Sequence, residues 1–130
     1  MLLKSAQLKI TDSEFKSRIE DLQKHLQSEA LSGAILFDRD YILYYSGFAF
    51  IPTERPIALL INDQGRTSLF VPQLELEHAM MNTIVDDASY YTEYPDETHP
   101  MHNLEKTLNS MGIRDRIGAD HDGYPWIMGY

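Results

Sequence analysis

At 130 residues, 43% hydrophobic and 11% aromatic, the chain has the length of a single domain (1–130) and enough apolar side chains for one core, which argues against disorder. It contains no cysteine, so disulfides, thiolate zinc sites and cysteine nucleophiles are excluded together, and a reducing cytoplasm is the compartment that fits. A formal charge of -9 repels phosphate backbones and sets a nucleic-acid role aside; the acidity serves solubility.

The opening Met1-Leu2-Leu3-Lys4 is too short in apolar residues for a secretory signal, and the longest apolar run, residues 57–61, is strand-sized, so no membrane span is expected. The first predicted element is a helix. Thr11 is its N-cap, Glu14 stands three residues later as in a capping box, and Ile10 and Phe15 hold the two positions of a hydrophobic staple. Phe15, Ile19, Leu22 and Leu26 then recur on one face, Glu14–Arg18 and Glu20–Lys24 form i,i+4 pairs, and Gly33 is read as the stop.

Gly33-Ala34-Ile35-Leu36-Phe37 is a continuous apolar run, the pattern of a strand buried on both faces. Residues 38–46 read as one or two helical turns closed by Gly47, and 48–56, with two prolines, as a loop. Residues 57–61 and 67–71 flank the turn-rich Asn62-Asp63-Gln64-Gly65-Arg66 and predict an antiparallel hairpin. Residues 73–82 return to helical composition through Leu74, Leu76, Ala79 and Met80. Residues 89–94 predict a strand, and 95–100 a polar break. Pro100 suits a first helical position, Met101, Leu104, Leu108 and Met111 repeat at helical spacing up to Gly112, and Ile117-Gly118-Ala119 is a short last strand. The fold class that follows is α/β, a mixed sheet of about five strands flanked by helices. The ending Gly123-Tyr124-Pro125-Trp126-Ile127-Met128-Gly129-Tyr130 reads as a boundary cut through a longer protein.

No catalytic constellation stands out. Glycine-rich phosphate loops, the G-x-S-x-G elbow and HExxH are missing from the sequence. His78 follows Glu75 and Glu77, which point to different helix faces, and reads as a surface histidine; His25 reads as lying on the exposed side of the first helix. His99 and His102 stand at i,i+3 with no obvious third ligand. Asp120-His121-Asp122 is the most metal-like string, yet adjacent residues rarely converge on one ion, so it reads as a solvated turn. Asp86-Asp87 and Asp96-Glu97 are read as loop solvation. The catalytic and metal assignments for the chain are therefore none.

As one ordered pattern, the chain resembles the N-terminal domain shared by creatinases, prolidases and Xaa-Pro aminopeptidases, a ribonuclease H-like fold. The residues that carry this are Arg18, Leu22 and Leu26 on the first helix; Gly33 to Phe37; and Ile42-Leu43-Tyr44-Tyr45-Ser46-Gly47-Phe48. They continue with Glu54-Arg55-Pro56-Ile57-Ala58-Leu59-Leu60-Ile61, then Val71-Pro72 with Glu75 to Ala79, and Ile117-Gly118-Ala119-Asp120. Tyr41 departs from the asparagine that relatives often carry before the aromatic segment.

The resemblance implies a non-catalytic domain of a metal-dependent Xaa-Pro dipeptidase or aminopeptidase (a hydrolase), joined to a C-terminal pita-bread catalytic domain not contained in this sequence. That domain would hold two divalent metals, manganese by family expectation, for hydrolysis by a metal-activated water. Implied partners are the catalytic domain, a second copy in a homodimer, and a proline-containing peptide placed near the partner's active site; no membrane is implied. The loop 44–55 matches the substrate-side segment, where Tyr45, Phe48 and Phe50 would present apolar surface and Arg55 would pair with a carboxylate. The opposing reading has Tyr44, Tyr45 and Phe48 filling the core behind the first strand. The alternative function is a chaperone-like binding module of a catalytically dead relative, gripping basic partners.

Overall fold

The computed structural model describes residues 10–51, 55–81, 83–92 and 99–120, and its first helix starts where the sequence places it. Helix α1 spans Asp12–Ser28, and the Thr11 hydroxyl accepts the Glu14 N–H at 3.3 Å, satisfying one orphan donor of the first turn. Phe15 is buried, whereas Ile10 stays exposed.

The end of α1 corrects the reading of Gly33 as its stop. Ala30 takes the left-handed conformation (φ 55°), the Leu31 N–H bonds the Leu26 carbonyl at 2.9 Å, and the Ala30 N–H bonds that of Gln27 at 3.2 Å. This is a Schellman closure, with Leu31 packed on the cluster that holds Leu26. Gly33 instead opens strand β1 (Gly33–Leu36). A Cβ there would stand 2.6 Å from the Ile61 carbonyl oxygen and 2.7 Å from Ile113 Cγ1, so close approach, not chain reversal, demands glycine.

Helix α2 (Arg39–Ser46) ends at left-handed Gly47, as expected. Strands β2 (Ala58–Asn62) and β3 (Thr67–Pro72) form the predicted hairpin, its connector tied by Asn62 Oδ1 accepting the Gln64 and Arg66 N–H groups at 3.0 and 2.9 Å. The helical stretch expected over 73–82 is a 3-10 turn, Gln73–Glu75, followed by α3 (Leu76–Met80). Leu74 is 79% exposed and contributes nothing to the core, and Asn82 lies outside the described residues.

Strand β4 is Asp87–Tyr91, beginning two residues before the expected 89–94, whose last residues lie outside the described ones. The reason is the acidic pair read as loop solvation. Asp86 Oδ2 accepts the Thr67 N–H at 2.8 Å while Thr67 Oγ1 accepts the Asp86 N–H at 3.1 Å. Arg66 pairs with Asp87 at 3.0 Å. These bonds start the β3–β4 register earlier than side-chain patterning suggests. Helix α4 (Pro100–Ser110) and strand β5 (Ile117–Ala119) match their predicted positions, with Gly112 left-handed after α4.

The sheet order is β4-β3-β2-β1-β5. Strand β2 runs antiparallel to both of its neighbours, β1 and β3, while β4 runs parallel to β3 and β5 parallel to β1, so the sheet is mixed as expected. Alternation sends Leu36, Leu59, Leu69 and Val71 to a first face, under Ile42 of α2 and Ala79 of α3; Ala34 and Ile61 continue it under Leu26 of α1. Phe37, Ala58, Leu60, Phe70 and Tyr91 point to the second face, under Leu104 of α4 and Ile113. Helices on both faces explain why β2 and β3 are buried along their whole length. Among the described residues no helix is long and apolar enough to cross a membrane.

Candidate functional site

The loop after α2 is shaped by Ser46. Its buried hydroxyl donates to the Ile42 carbonyl at 2.6 Å and accepts the Phe48 N–H at 3.1 Å, while left-handed Gly47 turns the chain inward. Phe48 consequently enters the first-face core and is 0% exposed. The expectation that Phe48 presents apolar surface is therefore corrected in favour of the core reading: an aromatic ring directly after this turn has the sheet beneath it.

Phe50 stacks on Phe48 with centroids 5.5 Å apart and remains partly open, and Ile51 is 84% exposed. With exposed Arg55 they line a cleft of about 380 Å³, closed on its other sides by Ile57, Pro72, Glu75 and His78. The His78 ring lies 5.0 Å from that of Phe48, with Nδ1 3.1 Å from Glu75 Oε2. His78 is exposed as predicted, but its placement opposite Arg55 was not read from sequence. The available signal was the i,i+3 spacing of Glu75 and His78 directly after β3. The arrangement offers an apolar floor, a guanidinium and a carboxylate–imidazole pair, groups suited to holding a short peptide by side chain and terminus.

Tyr45 does not line this cleft. It sits half-buried on α2 against the first-face core, its ring 4.9 Å from that of Tyr44 in an edge-on pair. Beside it the Arg18 guanidinium stacks over the Tyr44 ring at 4.0 Å and donates to the Tyr44 carbonyl at 2.7 Å. Burial, reinforced by Tyr44, Tyr41 and Asp21 against the opposing Arg18, raises the Tyr45 phenol above its ordinary 10.0. A raised folded-state value means the unfolded chain releases this proton first. The stabilisation is therefore complete below pH 10.0 and lost as pH rises through the folded value. In urea titrations above that pH the midpoint of the wild type is expected to fall more steeply than that of Tyr45→Phe; equal slopes would remove Tyr45 as the cause.

Asp120 is not part of a solvated turn. Its carboxylate accepts the Phe37 N–H at 2.9 Å and the Asp38 N–H at 2.7 Å, tying the end of β5 to that of β1. His121 and Asp122 lie outside the described residues. His99 caps α4, its Nδ1 accepting the Met101 N–H at 3.1 Å, and His102 and His25 are exposed. Among the described residues no group of three or more His, Asp and Glu side chains is placed to hold a metal ion.

Residues 18–128 match the creatinase/prolidase N-terminal domain family. An uncharacterized peptidase of Staphylococcus haemolyticus is 32% identical over 87 residues, covering 65% of this chain and 25% of that protein. A second, from Staphylococcus saprophyticus, is 37% identical over 60 residues, 46% of this chain and 17% of its own. The chain thus spans about a quarter of the length of the first of these relatives, and less of the second. A proline dipeptidase from Streptococcus pneumoniae superposes with a TM-score of 0.67 at 27% identity, covering 78% of this chain and 71% of that one. The N-terminal domain of a Xaa-Pro dipeptidase from Lactobacillus brevis (TM-score 0.70, 20% identity, 79% and 75% covered) shares the fold. So does a prolidase from Thermococcus sibiricus (TM-score 0.70, 20% identity, 91% and 30% covered).

Proposed function

The chain belongs to the creatinase/prolidase N-terminal domain family, and from that premise we propose that it is the non-catalytic N-terminal domain of a metal-dependent Xaa-Pro dipeptidase-like peptidase. In this reading it works in the cytoplasm, helps to form a homodimer, and positions a proline-containing peptide near the partner's active site. The observation that carries the reading is the cleft beside the α2–β2 loop. Phe50, Ile57 and Pro72 form an apolar floor for a pyrrolidine ring, and Arg55 offers a planar guanidinium to a peptide carboxylate. Tyr45 and Phe48 act from behind, Phe48 by backing the Phe50 ring and Tyr45 by anchoring α2.

The two divalent metals, manganese by family expectation, would supply the hydrolytic nucleophile from a catalytic domain outside this sequence. His78 and Glu75 bring two donors to the cleft, which does not suit a metal pair. This chain's own contribution is binding and orientation.

Arg55→Ala in the full-length enzyme tests the cleft. A loss of about tenfold in kcat/KM on Xaa-Pro dipeptides is expected, near 1.4 kcal/mol of transition-state binding, with the urea midpoint little changed. An unchanged kcat/KM sinks the positioning role. Hydrolysis by the manganese-loaded full-length protein and none by the 130-residue chain supports the non-catalytic reading. Inactivity in both turns the assignment to a binding module for basic partners, which the charge of -9 favours.

A further inference from the structure

The turn that sends Phe48 inward deprives one carbonyl of α2 of its helical donor. In an uninterrupted helix the Tyr44 carbonyl would accept the Phe48 N–H, four residues on. Here that N–H donates to Ser46 Oγ at 3.1 Å. The neighbouring carbonyls are provided for: Leu43 accepts the Gly47 N–H at 2.9 Å, and Ser46 accepts the Ile84 N–H at 2.8 Å. The Tyr44 carbonyl needs a donor from elsewhere, and Arg18 of α1 supplies it, Nη1 donating at 2.7 Å. Helix α2 has no basic residue in its own last turn, so the same guanidinium brings the cation that a helix C-terminus favours.

Arg18 is held in this position on several sides. Its side chain is only 15% exposed, low for an arginine. The guanidinium lies 4.0 Å from the centroid of the Tyr44 ring and 5.4 Å from that of Phe15. Its Nε is buried with no hydrogen-bond partner among the described residues, and Glu14 Oε1 stands 4.0 Å away. The rings and the carbonyl therefore fix the guanidinium, not its i,i+4 neighbour, and they do so against the cost of an unmet buried donor.

We infer that Arg18 is a positioning residue for the cleft: it holds the Ser46–Phe48 turn, and through Phe48 the stacked Phe50 ring. The inference rests on the substrate reading of that cleft, which Arg18 itself does not line. Without the Arg18 donor, the Tyr44 carbonyl regains a partner in one of two ways. Either the Phe48 N–H returns to it, which continues the helix and draws the Phe48 ring off the sheet, or water enters beside α1. Both loosen the backing of Phe50. A lysine would keep the charge but not the planar group that stacks on Tyr44.

Arg18→Met keeps the apolar stem and removes every donor. In the 130-residue chain its Phe48 amide is expected to exchange with deuterium several-fold faster than in the wild type, well beyond any change at the Leu60 amide in the β2 ladder. In the full-length enzyme KM for Xaa-Pro dipeptides is expected to rise several-fold with kcat little changed. In an Arg55→Ala background the same substitution should add little, because the cleft is already impaired. Arg18→Lys is the second variant should Arg18→Met fail to fold, with the same direction and a smaller effect. A Phe48 amide that exchanges as in the wild type overturns the inference. So does an unchanged KM in Arg18→Met beside an impaired Arg55→Ala enzyme, which would leave Arg18 a purely structural residue. If neither substitution affects turnover of the dipeptides, the cleft reading itself fails and this inference falls with it.

Discussion

Phe48→Ala is expected to cost about 3–5 kcal/mol of folding free energy, a large share of the roughly 5–15 kcal/mol that a domain of this kind possesses. Phe48 is wholly buried among Leu36, Ile42, Ile57, Leu59, Leu69, Val71 and Ala79. Truncation therefore loses both the transfer energy of the ring and the contacts of a cavity that the surrounding strands cannot collapse, because β2 and β3 are held on both sides by ladders. Phe50→Ala is expected to cost much less, since Phe50 keeps one side open. Urea unfolding of both variants separates the alternatives. A loss below about 1 kcal/mol for Phe48 would place it on the surface and return it to the substrate-facing loop. The double-sided packing also gives Phe48 a functional consequence: its ring backs Phe50 and His78, so a folded Phe48→Leu variant should loosen the cleft floor without touching Arg55.

Gly33→Ala is expected to destabilise by about 1–3 kcal/mol, towards the upper end, from the addition of one methyl group. The new Cβ meets the Ile61 carbonyl oxygen at 2.6 Å and Ile113 Cγ1 at 2.7 Å. Of the two obstacles the side chain can move and the backbone oxygen cannot, because Ile61 lies in the β2 ladder with Ala34 on one side and Thr67 on the other. Measured in an Ile113→Ala background, which removes both Cγ1 and Cδ1, the cost of Gly33→Ala should accordingly be relieved only in part. Complete relief in that background would show that side-chain crowding alone excludes a larger residue. The same measurement distinguishes close packing from helix termination, since a residue acting only as a helix stop would tolerate alanine at the cost of a cap.

The two substitutions mark where sequence patterning stops. Helices α1 and α4 and the β2–β3 hairpin were readable because their signals are local: a Thr11 cap, a proline at the first turn of α4, apolar residues every third or fourth position, a five-residue polar connector. Of the candidate site, Phe50 and Arg55 were readable as loop residues beside glycine and proline, and the structure places both at the cleft. Tyr45 and Phe48 were not separable from them by type. An aromatic residue in a loop looks the same whether the turn before it points inward or outward, and here the buried Ser46 hydroxyl and left-handed Gly47 make that choice. That Glu75 and His78 share this cleft was not readable, because they come from the far side of a hairpin, more than twenty residues along the chain from Phe50.

By itself, then, the sequence determined the order and type of the elements and the mixed α/β class, properties set by short-range periodicity and capping, and its ordered motifs carried the family resemblance. Tertiary structure alone decided what depends on partners distant in the chain. It made Gly33 a packing residue rather than a helix stop and left that role to Ala30. It turned Asp86 and Asp120 from solvated acids into clasps on Thr67 and on the Phe37–Asp38 backbone. It also sent Phe48 inward while leaving Phe50, Arg55 and His78 around one cleft. The physical reason is common to all of these. Burial and hydrogen-bond satisfaction are properties of the space around a side chain, and that space is filled by residues whose identity no local window contains.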